Sequence, residues 1–241
     1  MKTAFITGAS RGIGRACAEK FASEGYSLGL CCKNNIESLN DLKAELEQKY
    51  GIECLTFQGD VSDYSFAEKC SKTFLEKFGR IDVLINNAAI STFELTQDIS
   101  PEEWNEVIGT NLNSVFYFSK VFIPTFIHQQ SGSIINVSSM WGRVGASCEV
   151  AYSTSKGGIN AFTMALAKEL APSKISVNAI APGVVDTEMN SRLTSKEKEE
   201  LAEEIPIGRF AKPSEIAEDI FHITQMPYVT GQIIGADGGY I

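Results

Sequence analysis

Histidine is scarce in this chain of 241 residues. Only His128 and His222 occur, too little material for a histidine-rich metal site or a histidine-based catalytic triad. The six cysteines, Cys17, Cys31, Cys32, Cys54, Cys70 and Cys148, contain no Cys-x-x-Cys pair and no metal-ligand spacing, and an adjacent pair is poorly placed to bridge locally. They read as reduced, mostly buried thiols, and no metal is expected. Basic charge is also short: 21 Lys and Arg stand against 30 Asp and Glu, a net charge of -9. That balance argues against nucleic acid as a partner, because such binders carry a basic footprint. The acidity is spread over helices and reads as surface. No apolar run approaches the ~20 residues that span a bilayer, and after Met1-Lys2 the chain enters a strand instead of a signal peptide. No membrane partner and a cytoplasmic location are the expectations. Linkers, repeats and low-complexity tracts are missing too.

What is present is enough for a large core, since 44% of residues are apolar. Lys2 to Thr7 is a short apolar strand. It runs into Gly8-Ala9-Ser10-Arg11-Gly12-Ile13-Gly14, which opens a helix from Arg15 to Ser23. Strand, glycine turn and helix come in the order that a dinucleotide site requires. The glycines admit a pyrophosphate close to the backbone, and the free N–H groups and positive end of the helix receive its charge. The next strand, Tyr26 to Cys32, ends where an enzyme using the unphosphorylated cofactor tends to place Asp or Glu for the ribose 2′-hydroxyl. Here the end of the strand reads Cys32-Lys33, and the next acid is Glu37. Lys33 and Arg11 together point to a 2′-phosphate, hence NADPH.

A helix over Glu37 to Tyr50 precedes a strand over Ile52 to Gln58 and Gly59-Asp60-Val61. Two readings stand for Asp60: an acceptor for an adenine amino group, or a turn residue before Ser62. After a helix from Phe66 to Phe78, the continuous apolar run Ile81 to Ile85 has the pattern of a central parallel strand. It ends in Asn86-Asn87-Ala88-Ala89, small residues that either bed a cofactor or simply turn. Ser100-Pro101-Glu102-Glu103 combines a capping box with proline at the first helical position and so marks a helix start. Within the helix that follows lies Asn111, a poor helix former. It either faces solvent or marks a distortion that frees a carbonyl for water.

Ile134 to Val137 is another buried strand, which places Ser139 at its carboxyl end, where open α/β sheets bind ligands. A helix follows through Tyr152-Ser-Thr-Ser-Lys156. Spacing of four puts the phenol and the ammonium on one face. An adjacent cation would lower the phenol from its usual ~10 and make Tyr152 an acid/base. Ile175 to Ile180 is a further strand, left by Pro182-Gly183-Val184-Val185-Asp186-Thr187. The charged stretch Glu188 to Glu204, with a second capping box at Thr194 and Glu197, reads as a solvated helical face or as a lid. A last helix starts near Ser214, and Thr230 to Gly235 is the last strand. The alternation predicts one α/β domain over 1–241, a doubly wound Rossmann sheet of about seven parallel strands.

Taken together, Thr7-Gly-Ala-Ser-Arg-Gly-Ile-Gly14, Asp60-Val61, Asn86-Asn-Ala-Ala89, Asn111, Ser139, Tyr152-x-x-x-Lys156, Pro182-Gly183 with Thr187, and the terminal Asp237-Gly-Gly resemble the short-chain dehydrogenase/reductase family over essentially the whole chain. The resemblance implies that Tyr152 donates a proton, Lys156 binds the nicotinamide ribose and tunes Tyr152, Ser139 orients a substrate carbonyl, and Asn111 holds a relay water. It also implies a cofactor bed of Gly8, Ser10, Arg11, Gly12, Ile13, Gly14, Lys33, Asp60, Val61, Asn87, Ala88, Tyr152, Lys156, Pro182, Gly183, Val185 and Thr187. Within the family the chain looks most like the 3-oxoacyl-acyl-carrier-protein reductases, which are NADPH-dependent homotetramers built on helices equivalent to Trp104–Ile127 and Tyr152–Ala171.

The chain departs from that pattern in two places. Arginines that meet the acidic carrier protein are replaced by Gln130 and Ser173, and Ala89 stands where glycine is usual. A third feature, the segment Ser139 to Val150, looks like that of a branch reducing a 5-aminopentanone group on a lysine of translation elongation factor P. Glu149 within it either presents a carboxylate to a cationic substrate or faces solvent or Arg143. The expected reaction is NADPH-dependent reduction of a ketone, on acyl carrier protein or on elongation factor P. A non-catalytic nucleotide-sensing regulator is the alternative from another class. The intact set Asn111, Ser139, Tyr152 and Lys156 opposes it.

Overall fold

The computed structural model describes residues 1–191 and 193–241. In chain order the elements are β1 (Lys2–Thr7), α1 (Gly12–Ser23), β2 (Tyr26–Cys32), α2 (Ile36–Tyr50), β3 (Cys54–Gln58), α3 (Tyr64–Phe78) and β4 (Val83–Asn86). Then come α4 (Pro101–Ile108), a π-helical turn (Gly109–Asn113), α5 (Ser114–Gln129), β5 (Gly132–Val137), α6 (Trp141–Val144) and α7 (Val150–Leu170). The chain finishes with β6 (Ile175–Pro182), α8 (Ser195–Glu204), α9 (Pro213–Thr224) and β7 (Ile233–Ala236). The seven strands form one sheet in the order β3-β2-β1-β4-β5-β6-β7, and every pairing is parallel. The order reverses between β1 and β4, which makes the switch point where doubly wound sheets open a crevice. The doubly wound fold read from the sequence is the fold observed.

Alternation along the strands decides which helix covers which face. Ala4 and Ile6 of β1 pack with Cys17 and Phe21 of α1, Leu39, Leu42 and Leu46 of α2, and Ile216 and Ile220 of α9. Phe5, between them, points the other way, to Phe74 of α3 and to Phe118 and Phe122 of α5. Its ring lies 5.5 Å from Phe74, 5.5 Å from Phe118 and 5.3 Å from Phe122 between centroids. Each such buried ring contributes about 1.5–3 kcal/mol by leaving water. Gly29, on the neighbouring strand, makes room for the cluster, because a Cβ there would sit 2.5 Å from the Phe5 ring.

Local signals set the ends of the elements. Ser100 Oγ accepts from Glu103 N at 3.2 Å while Glu103 Oε2 accepts from Ser100 N at 2.9 Å, the capping box that begins α4. The helix expected to run on through Asn111 instead widens into the π turn, in which Ser114 N reaches back to Gly109 O. Of the Glu188–Glu204 stretch, 188–190 form a 3₁₀ turn and α8 begins at Ser195 after the Thr194–Glu197 capping box. Position 192 of that stretch lies outside the described residues. Among the described residues no helix is long and apolar enough to cross a membrane.

Candidate active site

The carboxyl ends of β1, β4, β5 and β6 converge, and each contributes a turn to one crevice. The turn after β1 is built of backbone. Gly8 and Gly12 have positive φ of 67° and 55°, a conformation that side chains disfavour. Gly14 has no room for one: a Cβ would lie 2.2 Å from Gly8 O. Arg11 precedes α1 without a side-chain cap, and the helix's first turn holds no acid. The N–H groups there remain available to an anion. This cradle fits a dinucleotide pyrophosphate. Ile13 packs against the core, and Ser10 O accepts from Ser38 Oγ at 3.5 Å.

The ends of β1 and β4 are tied together. Thr7 Oγ1 accepts from Asn87 N and Ala88 N, both at 3.0 Å, and Asn87 Nδ2 donates to Thr7 O at 2.9 Å and Gly8 O at 3.0 Å. Asn87 and Ala88 thus form one wall of the cradle and not an isolated turn. The role of Thr7 went unread in the sequence, although a hydroxyl closing an apolar strand just before Gly8 was its signal.

Asp60 is a turn residue, accepting from Ser62 N at 2.9 Å and Ser62 Oγ at 2.7 Å. It is also the partner of Lys33, whose Nζ lies 2.8 Å from Asp60 Oδ2 and 3.7 Å from Glu106. Burial raises the Asp60 carboxyl, but Lys33 and Ser62 outweigh it and the net direction is downward. Val61 is buried in the core. Arg11, the other cation expected at a 2′-phosphate, pairs with Glu188. Both cations therefore have carboxylate partners, a feature that the sequence did not reveal because each pair is formed across loops.

Pro182 O accepts from Met140 N at 2.9 Å, and Gly183 N donates to Ala236 O at 3.0 Å. Gly183 fits only because it lacks a side chain, as its Cβ would meet Asp237 Cα at 2.8 Å. Val185 is buried and bridges to Ala211. The Thr187 methyl stands 3.3 Å from the place of a Gly12 Cβ, so the turn after β6 leans on the glycine turn after β1.

Ser139, Tyr152, Lys156 and Asn111 are all buried and brought together. Lys156 Nζ donates to Val137 O at 2.7 Å and lies 5.4 Å from the centre of the Tyr152 ring. The Ser139 hydroxyl is near enough to the Tyr152 phenol to pull its pKa down. Asn111 is not solvent-facing. From the π turn its Oδ1 accepts from Ile90 N at 2.8 Å, and its Nδ2 donates to Ile90 O at 2.9 Å and Ser155 Oγ at 3.1 Å. It thereby ties the turn after β4 to α7 one residue before Lys156.

The expectation that a cation lowers the Tyr152 phenol is corrected here. Burial raises it to about 12, against a smaller downward pull from Ser139, and the Glu149 charge adds to the rise. Burial also lowers Lys156 to about 7, so the ammonium is itself destabilised and is a weak source of help to a phenolate. Tyr152 therefore holds its proton firmly at neutral pH. Behind the site, Asn86 Nδ2 donates to Asn136 Oδ1 at 2.9 Å and Asn136 Nδ2 to Thr163 Oγ1 at 2.9 Å. Each Asn interrupts an otherwise apolar strand, which was the signal for this ladder. Among the described residues no group of three or more His, Cys, Asp or Glu is placed to hold a metal, and five of the six cysteines are buried free thiols.

A parallel sheet with a glycine cradle at its switch point, and a Ser–Tyr–Lys cluster beside it, defines a dinucleotide-dependent carbonyl–alcohol oxidoreductase. Comparison with known proteins agrees: the family described as short chain dehydrogenase matches residues 2–198, and the chain belongs to it. The chain is 42% identical over 241 residues to the uncharacterized oxidoreductase YmfI of Bacillus subtilis (strain 168), covering 99% of this chain and 98% of the relative. It is 40% identical over 244 residues to the 3-oxoacyl-(acyl-carrier-protein) reductase FabG of Thermotoga maritima, covering 100% and 98%. A FabG of Staphylococcus aureus (strain Mu50) is 36% identical over 240 residues, covering 99% and 97%. The protein is an oxidoreductase of the CH–OH/C=O couple, in a family that uses NAD(P).

Proposed function

We propose that this enzyme reduces a ketone to a secondary alcohol with NADPH, and that the ketone is a 3-oxoacyl thioester on acyl carrier protein. The observation that carries the reaction is the Tyr152 phenol, buried at the carboxyl ends of the strands with Ser139 beside it and Lys156 Nζ 5.4 Å from its ring centre, where burial favours its protonated form. The cradle of Gly8, Gly12 and Gly14 would hold the pyrophosphate of the dinucleotide, whose reduced nicotinamide would supply hydride. Ser139 holds the carbonyl oxygen by a hydrogen bond, and Tyr152 gives that oxygen its proton as negative charge develops there. Lys156, with one donor spent on Val137 O, keeps others for a ribose hydroxyl. Asn111 holds the turn after β4 against α7 and keeps this geometry fixed, and the widened π turn that carries it suits a relay water.

NADPH is favoured because Lys33, and no acid, follows β2 directly, and Arg11 stands in the glycine turn. Since Glu188 and Asp60 already hold these cations, a 2′-phosphate binds by exchanging partners with them. The acyl substrate is supported by exposed apolar side chains on the turns that frame the site: Phe93 and Leu95 after β4, Val144 after β5, and Met189 and Ile207 after β6. The names of the FabG relatives point the same way. A second reading, an aminopentanone on a lysine of elongation factor P, rests on Glu149, whose charge reaches the Tyr152 phenol. Gln130 and Ser173, in place of carrier-binding arginines, favour it too. A homotetramer accords with the exposed Phe116 and Ile127 of α5 and Met164 of α7.

The test is a panel with NADPH and NADH. Oxidation of NADPH in preference to NADH by acetoacetyl thioesters, faster on carrier protein than with amino ketones, is the expected result. Preference for NADH, or for amino ketones, overturns the corresponding part. Binding of NADPH without turnover on any ketone returns the reading to a nucleotide-sensing regulator.

A further inference from the structure

The last residues of the chain touch both segments that frame the Ser139–Tyr152 site. On one side, Ile207 N donates to Gly238 O at 3.2 Å. Gly238 and Gly239 have positive φ of 67° and 83°, and a Cβ at Gly238 would meet Ile207 Cγ2 at 2.7 Å. The terminal turn is thus folded tightly against the segment that leaves α8. Tyr240 Oη then donates to Glu204 Oε2, the last residue of α8, at 2.8 Å. On the other side, the Tyr240 ring meets the Trp141 ring edge-on, with centroids 6.1 Å apart and planes at 65°. Arg143 Nη1 lies 3.5 Å from Asp237 Oδ2.

What Tyr240 touches is itself in contact with the reacting groups. Trp141 N donates to Ser139 Oγ at 3.2 Å. The next residue, Gly142, is wedged against α7, where a Cβ would meet the Lys156 carbonyl carbon at 2.7 Å. Asn160 Nδ2 donates to Gly142 O at 2.9 Å and holds the wedge in place. A shift of the Trp141 backbone would therefore be felt at the Ser139 hydroxyl, because no slack separates the two.

We propose that Tyr240 is a positioning residue for the ketone site: its ring props Trp141, and through it Ser139, while its hydroxyl pins the end of α8. The terminal turn then joins the segment after β6 to the turn after β5. Burial, and next the Glu204 carboxylate, raise the Tyr240 phenol above its ordinary value. It remains a donor to Glu204 across the neutral range. The proposal rests on the reading that Ser139 orients the substrate carbonyl.

Trp104 and Trp141 are the only two tryptophans in the chain, so a Trp104→Phe background makes Trp141 the sole indole reporter. In that background, Tyr240→Ala should raise acrylamide quenching of Trp141 emission about twofold. It should raise the ketone KM on the order of two- to tenfold, the range set by loss of an aromatic pair, while the NADPH Kd holds. Tyr240→Phe keeps the ring and should keep both the emission and the KM near wild type. Losing only the pin, it should speed tryptic cleavage at Lys196 and Lys198 in α8 several-fold. Unchanged quenching and KM in Tyr240→Ala, or unchanged cleavage in Tyr240→Phe, would overturn the proposal. If Tyr240→Ala does not fold, the cleavage rate of Tyr240→Phe still decides. Full turnover by Ser139→Ala would defeat the underlying reading and the positioning role with it. Loss of turnover in Ser139→Ala beside an unmoved KM in Tyr240→Ala defeats the positioning role alone.

Discussion

The two halves of the sheet leave their strands differently. After β1, β2 and β3 the connections are short, residues 8–11, 33–35 and 59–63, whereas after β4 and β6 they span 87–100 and 183–194, and 138–149 separate β5 from α7 with only one helical turn inside. The first of the short connections makes a site of backbone, in which uncapped N–H groups are available to an anion and Gly14 has no room for a side chain. The long ones bring side chains, Ser139, Glu149 and the apolar rim, to Tyr152 on the first turn of α7. Under the proposed function, cofactor recognition falls to the part that the fold fixes, and substrate choice to connections that the fold leaves free in length.

The sharpest way to separate the halves is to damage one chemically without touching the other. Tyr152→Phe removes the proton donor but keeps the ring over Lys156, so turnover should fall by at least ~10². Cofactor affinity, measured by fluorescence titration, should stay within about threefold, since the phosphate cradle is untouched. Near-normal turnover would end the proposed role of Tyr152. The converse damage is Gly14→Ala. Its Cβ would fall 2.2 Å from Gly8 O and 2.5 Å from Asn87 Nδ2, so the cradle must open or the helix must move. Cofactor Kd should rise by about tenfold or more, with a loss of roughly 1–3 kcal/mol of stability from overpacking. Unchanged cofactor affinity would mean that the glycine turn does not hold the dinucleotide.

How far the halves were legible beforehand follows the same division. The glycine turn, the Ser100 capping box and Tyr152 with Lys156 are local patterns, and each stands in the structure where it was expected. The ion pairs Arg11–Glu188 and Lys33–Asp60 join residues far apart in the chain, and no local pattern announces them. The one-turn helix α6 lacks apolar periodicity and was not anticipated. Nor was the direction of the Tyr152 shift: the sequence shows that Lys156 is near but not that both groups are buried, and burial is the larger influence.

That burial has a measurable signature. Lys156 is lowered from 10.5 to about 7, so between these values the unfolded chain binds the proton that the folded chain has released. Its contribution to stability therefore rises as pH rises from about 7 to about 10.5, and is lost as pH falls through about 7. Tyr152, raised from 10.0 to about 12, works the other way: its contribution is present below pH 10 and is lost as pH climbs toward 12. In the cofactor-free enzyme, Tm between pH 6 and 9 should therefore rise more in wild type than in Lys156→Met, by an amount on the order of a few kcal/mol in stability. Parallel Tm profiles would show that Lys156 stays charged in its buried place, and would restore a stronger cation beside the phenol.

The smallest expected effect lies at the substrate end and bears on which ketone is taken. Glu149 precedes α7, its Oε2 is 3.5 Å from Ser91 Oγ, and its charge helps to raise the Tyr152 phenol. A carboxylate that acts on the phenol also acts on any charge carried by the bound ketone. At about 4 Å and an effective dielectric near 20 an ammonium would gain ~4 kcal/mol before desolvation. Removing both ions from water offsets most of that, and what remains is a preference of roughly tenfold or less. Glu149→Gln keeps the shape and loses the charge. It should lower kcat/KM for amino ketones several-fold and spare neutral 3-oxo thioesters, apart from the slight ease with which a less raised phenol gives up its proton. Equal effects on both substrates would show that Glu149 acts only through Tyr152 and reads no substrate charge, leaving the acyl thioester as the better-supported ketone. A selective loss with amino ketones would move the assignment to a cationic substrate on the strength of one side chain in a long connection, where this fold keeps its freedom.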